Sequence, residues 1–476
     1  MAARRKRLIL VVIDGLTPRM LERGVAAGRA PALSYLVERG TYAEGVTTFP
    51  SLTPVCLATL ATGGHPDVHG IPHLAWYHRG ERRIVEYGSS FHAMRAVGAR
   101  RSIRDSIFEL SHSHLSPEAR TVFEAVEDAG LVAAAINFTC YRGRTRHRIR
   151  LPLLAGRDRW YEAVYGPRHF FFFNLFESDV TGAPLAVRSR LDGSIDAYAG
   201  YVGRWLVTRD AFDFLVFYLP DFDYASHLTG PASPLDALAR ADASVGQLME
   251  AAGGPDELLE RYALVVCSDH GQTHVEEAAL LRSAYADLRV LPARRGDPDT
   301  HDVVVTASNR AGMVYRLPSC ALDARALAGR LEGERAVDVV LFREGAVAVA
   351  RRDGEELCFR PQGDLWAYEG DPDVLDPALY PDGLLRAWHA LACPNAGDVL
   401  VSARPGWEFA DLGGRHHAGG GSHGSLAAED SLVPLIAAGF EETGLPARAS
   451  ITDVAPMALA YLGVASSGEP KERVSA

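Results

Sequence analysis

Three uninterrupted aliphatic runs, each leading into an aspartate, constrain this chain more than any other feature. Leu8 to Ile13 runs into Asp14-Gly15, Phe214 to Tyr218 into the segment Leu219 to His227, and Tyr262 to Cys267 into Ser268-Asp269-His270-Gly271. An apolar run without alternation is how a strand reads when both of its faces are covered, as in the middle of a parallel sheet. Open α/β sheets gather the carboxyl ends of their strands along one edge, and ligands bind there. Acids delivered to that edge by three strands predict a shared site on an α/β fold.

Between the first two runs stands Thr48-Phe49-Pro50-Ser51-Leu52-Thr53-Pro54, followed by an apolar, helix-compatible segment that ends on Gly63-Gly64. Ser51 ahead of the run, Pro54 in its first turn and the glycine pair predict an N-cap serine, a short helix and a glycine stop. A hydroxyl there meets unpaired backbone N–H groups and the positive end of the helix dipole. Negative charge developing on it, or on a bound phosphoryl group, is therefore favoured. Asp223 and His227 are four apart and share a face if the segment is helical. Further histidines lie in His65-Pro66-Asp67-Val68-His69-Gly70-Ile71-Pro72, which reads as a solvated loop, and in the glycine-rich stretch Gly414 to Ser425, which ends around His423. Mixed Asp/His donors suit Zn²⁺, with Mn²⁺ or Fe as competitors. Two such ions would clamp the attacking and leaving oxygens of a phosphoryl transfer.

The chain of 476 residues is long enough for a large α/β core with an insertion. From about Glu277 to Ala410 short alternating runs (Val303 to Thr306, Met313 to Leu317, Val337 to Phe342, Val347 to Arg351) surround one helical stretch, Ala321 to Leu331. That texture predicts a smaller α+β subdomain over 277–410, carried by a core of 1–276 and 411–465, with a polar, disordered tail over 466–476. Thr121 to Ala129 and Thr452 to Leu462 read as helices, and Leu131 to Phe138 and Leu432 to Ala438 as strands. The basic stretch Tyr141 to Arg148 reads as a solvated loop or an anion-facing patch, and Phe170 to Phe173 as core or lid. A net charge of −11 argues against nucleic-acid polymers and anionic membranes as partners. No apolar run approaches the roughly 20 residues of a membrane span. Six scattered cysteines, none in a CxxC pair, indicate neither a disulfide framework nor a zinc–thiolate site, and a cytoplasmic location is expected.

Taken in order, Asp14-Gly15, Phe49-Pro50-Ser51, His69-Gly70-Ile71, Asp223-x-x-x-His227, Ser268-Asp269-His270-Gly271 and Ser422-His423-Gly424 resemble the alkaline phosphatase superfamily. Within it the chain is most similar to the type I phosphodiesterase/nucleotide pyrophosphatase family. Ile451 to Pro456 and Leu462-Gly463 match that family's final helix. The resemblance implies a three-layer sandwich with a mostly parallel central sheet and two divalent cations, Zn²⁺ first. One cation would be held by Asp223, His227 and His423, the other by Asp14, Asp269 and His270, with Ser51 bridging them as nucleophile. It implies hydrolysis of a small phosphodiester, pyrophosphate or nucleotide-like substrate through a phospho-serine intermediate.

Two departures from the family pattern stand out. Nucleotide-cleaving members carry Thr where the resemblance sets Ser51, and an Asn, donating to a phosphate oxygen, where lining up Trp76-Tyr77 puts Leu74. His73, Asn137 or Arg142 would then contact the substrate instead. Phosphomonoester or phosphonate hydrolysis is the alternative on the same site, with Arg19 or Arg142 as clamp for the extra charge. A non-catalytic metal-binding protein is a third. Ser51 to Val55 lacks the motif of a sulfatase, and the chain between Ser51 and Asp223 is short for the second domain of a phosphoglycerate mutase.

Overall fold

The computed structural model describes residues 6–148, 163–172, 176–177, 194–441, 445–446 and 448–465. A nine-stranded sheet organises them. From one edge to the other its strands are Ala449–Ser450, Thr41–Val46, Leu432–Ala438, Tyr262–Cys267, Arg7–Ile13, Phe214–Leu219, Ala133–Ile136, His169–Phe172 and Phe176–Glu177. The three aliphatic runs are adjacent at its middle and parallel, with Leu8 level with Phe214 on one side and Ala263 on the other. Leu432–Ala438 runs antiparallel to both of its neighbours.

Side chains alternate along a strand, so each central strand feeds two apolar layers. Leu8, Leu10 and Val12 pack with Phe49, Val55, Leu60 and Phe123 on one face. Ile9, Val11 and Ile13 pack with Leu33, Leu36, Leu238 and Val245 on the other. Helices thus cover both faces, giving the three-layer sandwich and explaining why these strands are apolar without alternation.

A seven-stranded antiparallel sheet forms the subdomain, in the order Val303–Ser308, Ala311–Arg316, Val399–Ala403, Val337–Glu344, Val347–Arg352, Glu355–Gln362 and Leu365–Gly370. The helix Ala324–Gly329 lies within it in sequence. Its Met313, Tyr315, Leu341, Leu357 and Leu400 belong to the same buried cluster as Leu8 and Trp76, so apolar packing continues unbroken from one sheet to the other.

Thr121 opens the helix Val122–Asp128 with a capping box completed by Glu124. Phe170, Phe171 and Phe172 are buried in the large sheet, while Phe173 and the 466–476 tail lie outside the described residues. The basic stretch is not a solvated loop. Thr145–Arg148 pairs with Ala163–Gly166, and Arg144 bridges Glu124 and Asp128. His65 to Pro72 contains the short helix Pro66–His69, and His69 and His73 are fully buried rather than solvated. His69 has both ring nitrogens hydrogen-bonded, Nε2 with Thr59 Oγ1 and Nδ1 with the Ile71 N–H, and a neutral imidazole so satisfied costs little to enclose.

Candidate metal centre

Asp14 leaves the central strand at its carboxyl end. Gly15 turns the chain there with φ +71°, and its N–H donates to Asp269 Oδ1 at 3.2 Å. That oxygen also accepts from the His270 backbone N–H at 3.0 Å, while Tyr218 donates its hydroxyl to Asp14 Oδ2. The His270 ring gives Nδ1–H to the Gly271 carbonyl at 3.0 Å, which leaves Nε2 without a proton. Nε2 lies 3.3 Å from Asp14 Oδ1 and 3.5 Å from Asp269 Oδ2.

Asp223 and His227 share a face of the helix Asp221–Thr229, with His227 Nε2 3.3 Å from Asp223 Oδ2. Gln272 donates its amide to Asp223 Oδ1. The glycine-rich loop closes on this helix: His227 Nδ1–H donates to the Gly421 carbonyl at 2.7 Å, and a Cβ on Gly420 would stand 1.9 Å from the His227 carbonyl. His423 donates Nδ1–H to the Ser51 carbonyl at 2.7 Å, and its ring stacks on His270 with centroids 3.6 Å apart.

Two sets of donor atoms converge, each within 4.8 Å of one another: Asp14, Asp269 and His270, and Asp223, His270 and His423. All five of these residues are buried. His270 belongs to both sets; His227 belongs to neither, and its ring centroid lies 5.2 Å from that of His423. Burial, then Asp269 and Asp223, hold the Asp14 carboxyl well above the usual carboxylate range. Burial raises Asp269 too, whereas for Asp223 burial is outweighed by His227, His423 and His270, and its carboxyl is held low. Asp14 Oδ1 and Asp269 Oδ2 are buried and receive no hydrogen bond. Three enclosed carboxylates, two of them with an oxygen that receives no hydrogen bond, facing imidazoles presented through Nε2, are a donor set that fits divalent cations.

The hydroxyl beside this set is not where the capping pattern places it. The helix Thr53–Thr62 starts two residues later, with Leu52 at the N-cap position and no side chain capping it. Ser51 Oγ donates to the Ser425 carbonyl at 2.9 Å and accepts from Gly424 N–H at 3.1 Å. Thr53, the first helical residue, holds Oγ1 3.1 Å from His270 Nε2. Ser51 is therefore not the N-cap: Pro54 sits at the second helical position, which puts Leu52 at the cap in place of the serine that the cap preference suggests.

Arg142 is committed to Glu124 and to the carbonyls of Leu115, Ser116 and Ala119, so it is a structural arginine. His73 is enclosed and accepts from Ala75 N–H at 3.1 Å. Asn137 is buried at the end of its strand with φ +60°, its N–H donating to Phe171. Arg19 is exposed on the wall of a cavity also lined by Thr17, Glu44, Gln272 and His274. Three residues that sequence reasoning passed over touch the centre directly: Tyr218, Gln272 and Asn309, the last with Nδ2 2.9 Å from His423 Nε2. Tyr218 alone carried a signal, as a polar terminus on an aliphatic strand.

The family model of type I phosphodiesterase / nucleotide pyrophosphatase matches residues 8–426. Among solved structures, phosphonoacetate hydrolase from Sinorhizobium meliloti 1021 in complex with phosphonoformate is similar at TM-score 0.59 and 19% identity, covering 96% of each chain. Murine ectonucleotide pyrophosphatase / phosphodiesterase 5 is similar at TM-score 0.59 and 14% identity, covering 98% of each chain. An inactive form of that murine protein, with a threonine replaced by alanine and in complex with AMP, is similar at TM-score 0.59 and 14% identity, over 98% of this chain and 97% of that one.

Proposed function

Because this chain belongs to the type I phosphodiesterase / nucleotide pyrophosphatase family of the alkaline phosphatase superfamily, we propose that it hydrolyses small phosphodiesters or pyrophosphates at a two-metal centre, with Thr53 rather than Ser51 as nucleophile. The observation that carries the reading is the 3.1 Å contact between Thr53 Oγ1 and His270 Nε2 at a helix N-terminus. Asp14, Asp269 and His270 are the ligands of one cation. Asp223, His227 and His423 are those of the other, and His270 lies between the two groups.

Bound cations would lower the pKa of a coordinated hydroxyl or water and offset the charge that develops on phosphorus. Thr53 Oγ gives up its proton to water and attacks phosphorus, the bond to the leaving oxygen breaks, and that oxygen takes the proton back from water. Water then attacks phosphorus of the modified Thr53 and passes one proton to Oγ, which returns the Thr53 hydroxyl and releases a phosphate monoester from a diester, or phosphate or a nucleotide from a pyrophosphate. The helix dipole favours the negative charge at both steps. Ser51 instead ties the loops, its carbonyl orienting His423 and its hydroxyl joining Gly424 to Ser425. The inactive murine form, which lacks a threonine, agrees with a threonine nucleophile. Hydrolysis of a phosphonate is a second reading, supported by Leu74, which offers no donor where a nucleotide-cleaving site has an amide. Six unpaired cysteines support a reducing, cytoplasmic setting and Zn²⁺ as the working metal is the first expectation from the donors.

Replacing Thr53 with Ala is expected to lower kcat on an aryl phosphodiester by about a thousandfold or more while metal content, read by elemental analysis, is kept. Ser51→Ala should retain most of the turnover. Survival of activity in Thr53→Ala, with its loss in Ser51→Ala, would reverse the assignment, and a panel of aryl mono-, di- and phosphonate esters separates the substrate classes.

A further inference from the structure

The tip of a subdomain hairpin reaches into the centre. Val303–Ser308 and Ala311–Arg316 pair antiparallel, with Ser308 opposite Ala311, so Asn309 and Arg310 form the turn. Asn309 takes φ +56°, which asparagine tolerates better than most residues. The tip is fastened to the loop that carries His423 in two ways. Arg310 N–H donates to the His423 carbonyl at 2.8 Å, and the fully buried Arg310 guanidinium bonds Asp430 at 2.8 Å. Thus held, Asn309 Nδ2 lies 2.9 Å from His423 Nε2.

His423 has given its Nδ1 proton to the Ser51 carbonyl, so Nε2 offers a single lone pair. That lone pair accepts either the Asn309 amide or a cation, and one displaces the other. The displaced amide keeps a companion, since Ser308 Oγ lies 3.2 Å from Asn309 Oδ1 and a hydroxyl both donates and accepts. An amide freed beside a cation has one obvious use, a directional bond to a non-bridging oxygen, supplied without added charge. That suits a singly charged diester better than a monoester dianion.

We propose that Asn309 is the substrate-oxygen donor of this centre: it covers His423 Nε2 while the lone pair is free and turns to a phosphoryl or phosphonyl oxygen once a cation takes that nitrogen. The proposal rests on the hydrolase reading above. It makes the subdomain part of the site, through a residue far from Leu74 in sequence.

Asn309→Gly keeps the left-handed turn and deletes the amide, and Asn309→Asp keeps its shape but not its donor. Competition with a chromophoric chelator reads zinc affinity in the chelator-stripped full chain. With no amide to displace, both variants should bind zinc more tightly, Asn309→Gly by about threefold to tenfold. Zinc-loaded Asn309→Gly should bind inorganic phosphate about tenfold more weakly by calorimetry. These opposite signs are the result expected. Loss of both affinities marks Asn309 as a structural residue, and an unchanged value of either overturns the proposal. If the zinc-loaded parent neither binds phosphate nor cleaves aryl phosphodiesters, the hydrolase reading and the oxygen-donor role fall together, and the zinc arm still decides the covering role.

Discussion

At the scale of single residues, five candidate donors foreseen in the sequence gather in the structure: Asp14, Asp269 and His270 follow strand ends, Asp223 lies on the helix after a strand, and His423 lies in the glycine-rich loop. Their helpers were not foreseen. Tyr218, Gln272 and Asn309 are ordinary residue types that acquire a role only through contacts with Asp14, Asp223 and His423, which lie 204, 49 and 114 positions away. Such contacts are set by tertiary packing, which no local pattern records. The helix start was misplaced for a related reason, since Ser51 and Thr53 both precede the apolar run and only the fold sets Leu52 at the N-cap and Thr53 beside His270. Tyr218 fixes one Asp14 oxygen and so leaves the other aimed at His270. Tyr218→Phe is therefore expected to weaken zinc binding about 10- to 100-fold, in line with other partners of metal-binding carboxylates. Chelator competition at neutral pH checks this, and an unchanged affinity would show that Tyr218 does not orient Asp14.

At the scale of elements, the central strands read correctly because double-sided burial leaves so clear a mark. The segment Asp105–His114 did not, as its π-helical hydrogen bonding has no familiar pattern in sequence. The basic stretch after Tyr141 was misjudged because its carboxylate partners, Glu124 and Asp128, lie on a neighbouring helix. The element that couples subdomain and centre is the hairpin at Asn309 and Arg310. Its buried ion pair with Asp430 is completed by two bonds from Ser425 to the other carboxylate oxygen. Arg310→Met would leave that carboxylate enclosed and short of a partner. A loss of about 3–5 kcal/mol in urea unfolding is expected. A loss below about 1 kcal/mol would mean that the pair is not needed to hold the hairpin.

For the whole molecule, the layered sheet and the presence of an antiparallel insertion were both readable, but their common core was not, because contacts between distant sheets leave no periodicity. The enclosed histidines set how the fold responds to acid. Burial pushes His69 down to about 3, His73 to about 4, His112 to about 4 and His114 to about 3. All four are neutral when folded and take up protons when unfolded below about pH 6.5. The stability they contribute is therefore complete above that pH and is lost as pH falls toward 4. Glu86 works the other way. Burial lifts it to about 7, so it favours the folded state in acid and loses that contribution as pH rises from about 4.5 to 7. The four histidines outweigh Glu86, and metal-stripped protein should lose unfolding free energy between pH 7 and pH 5. Urea titrations at the two values test this, and equal midpoints would refute it.

The sheet's strand order also dictates when the centre can first exist. Asp14 is synthesised early, but the chain must add Asp223, Asp269 and finally the loop around His423 before the donors meet, and the neighbouring strand Leu432–Ala438 must slot between two others to complete that side of the sheet. A nascent chain on the ribosome thus carries its acids unassembled, and a divalent cation held by these donors would find them together only after translation has passed that loop.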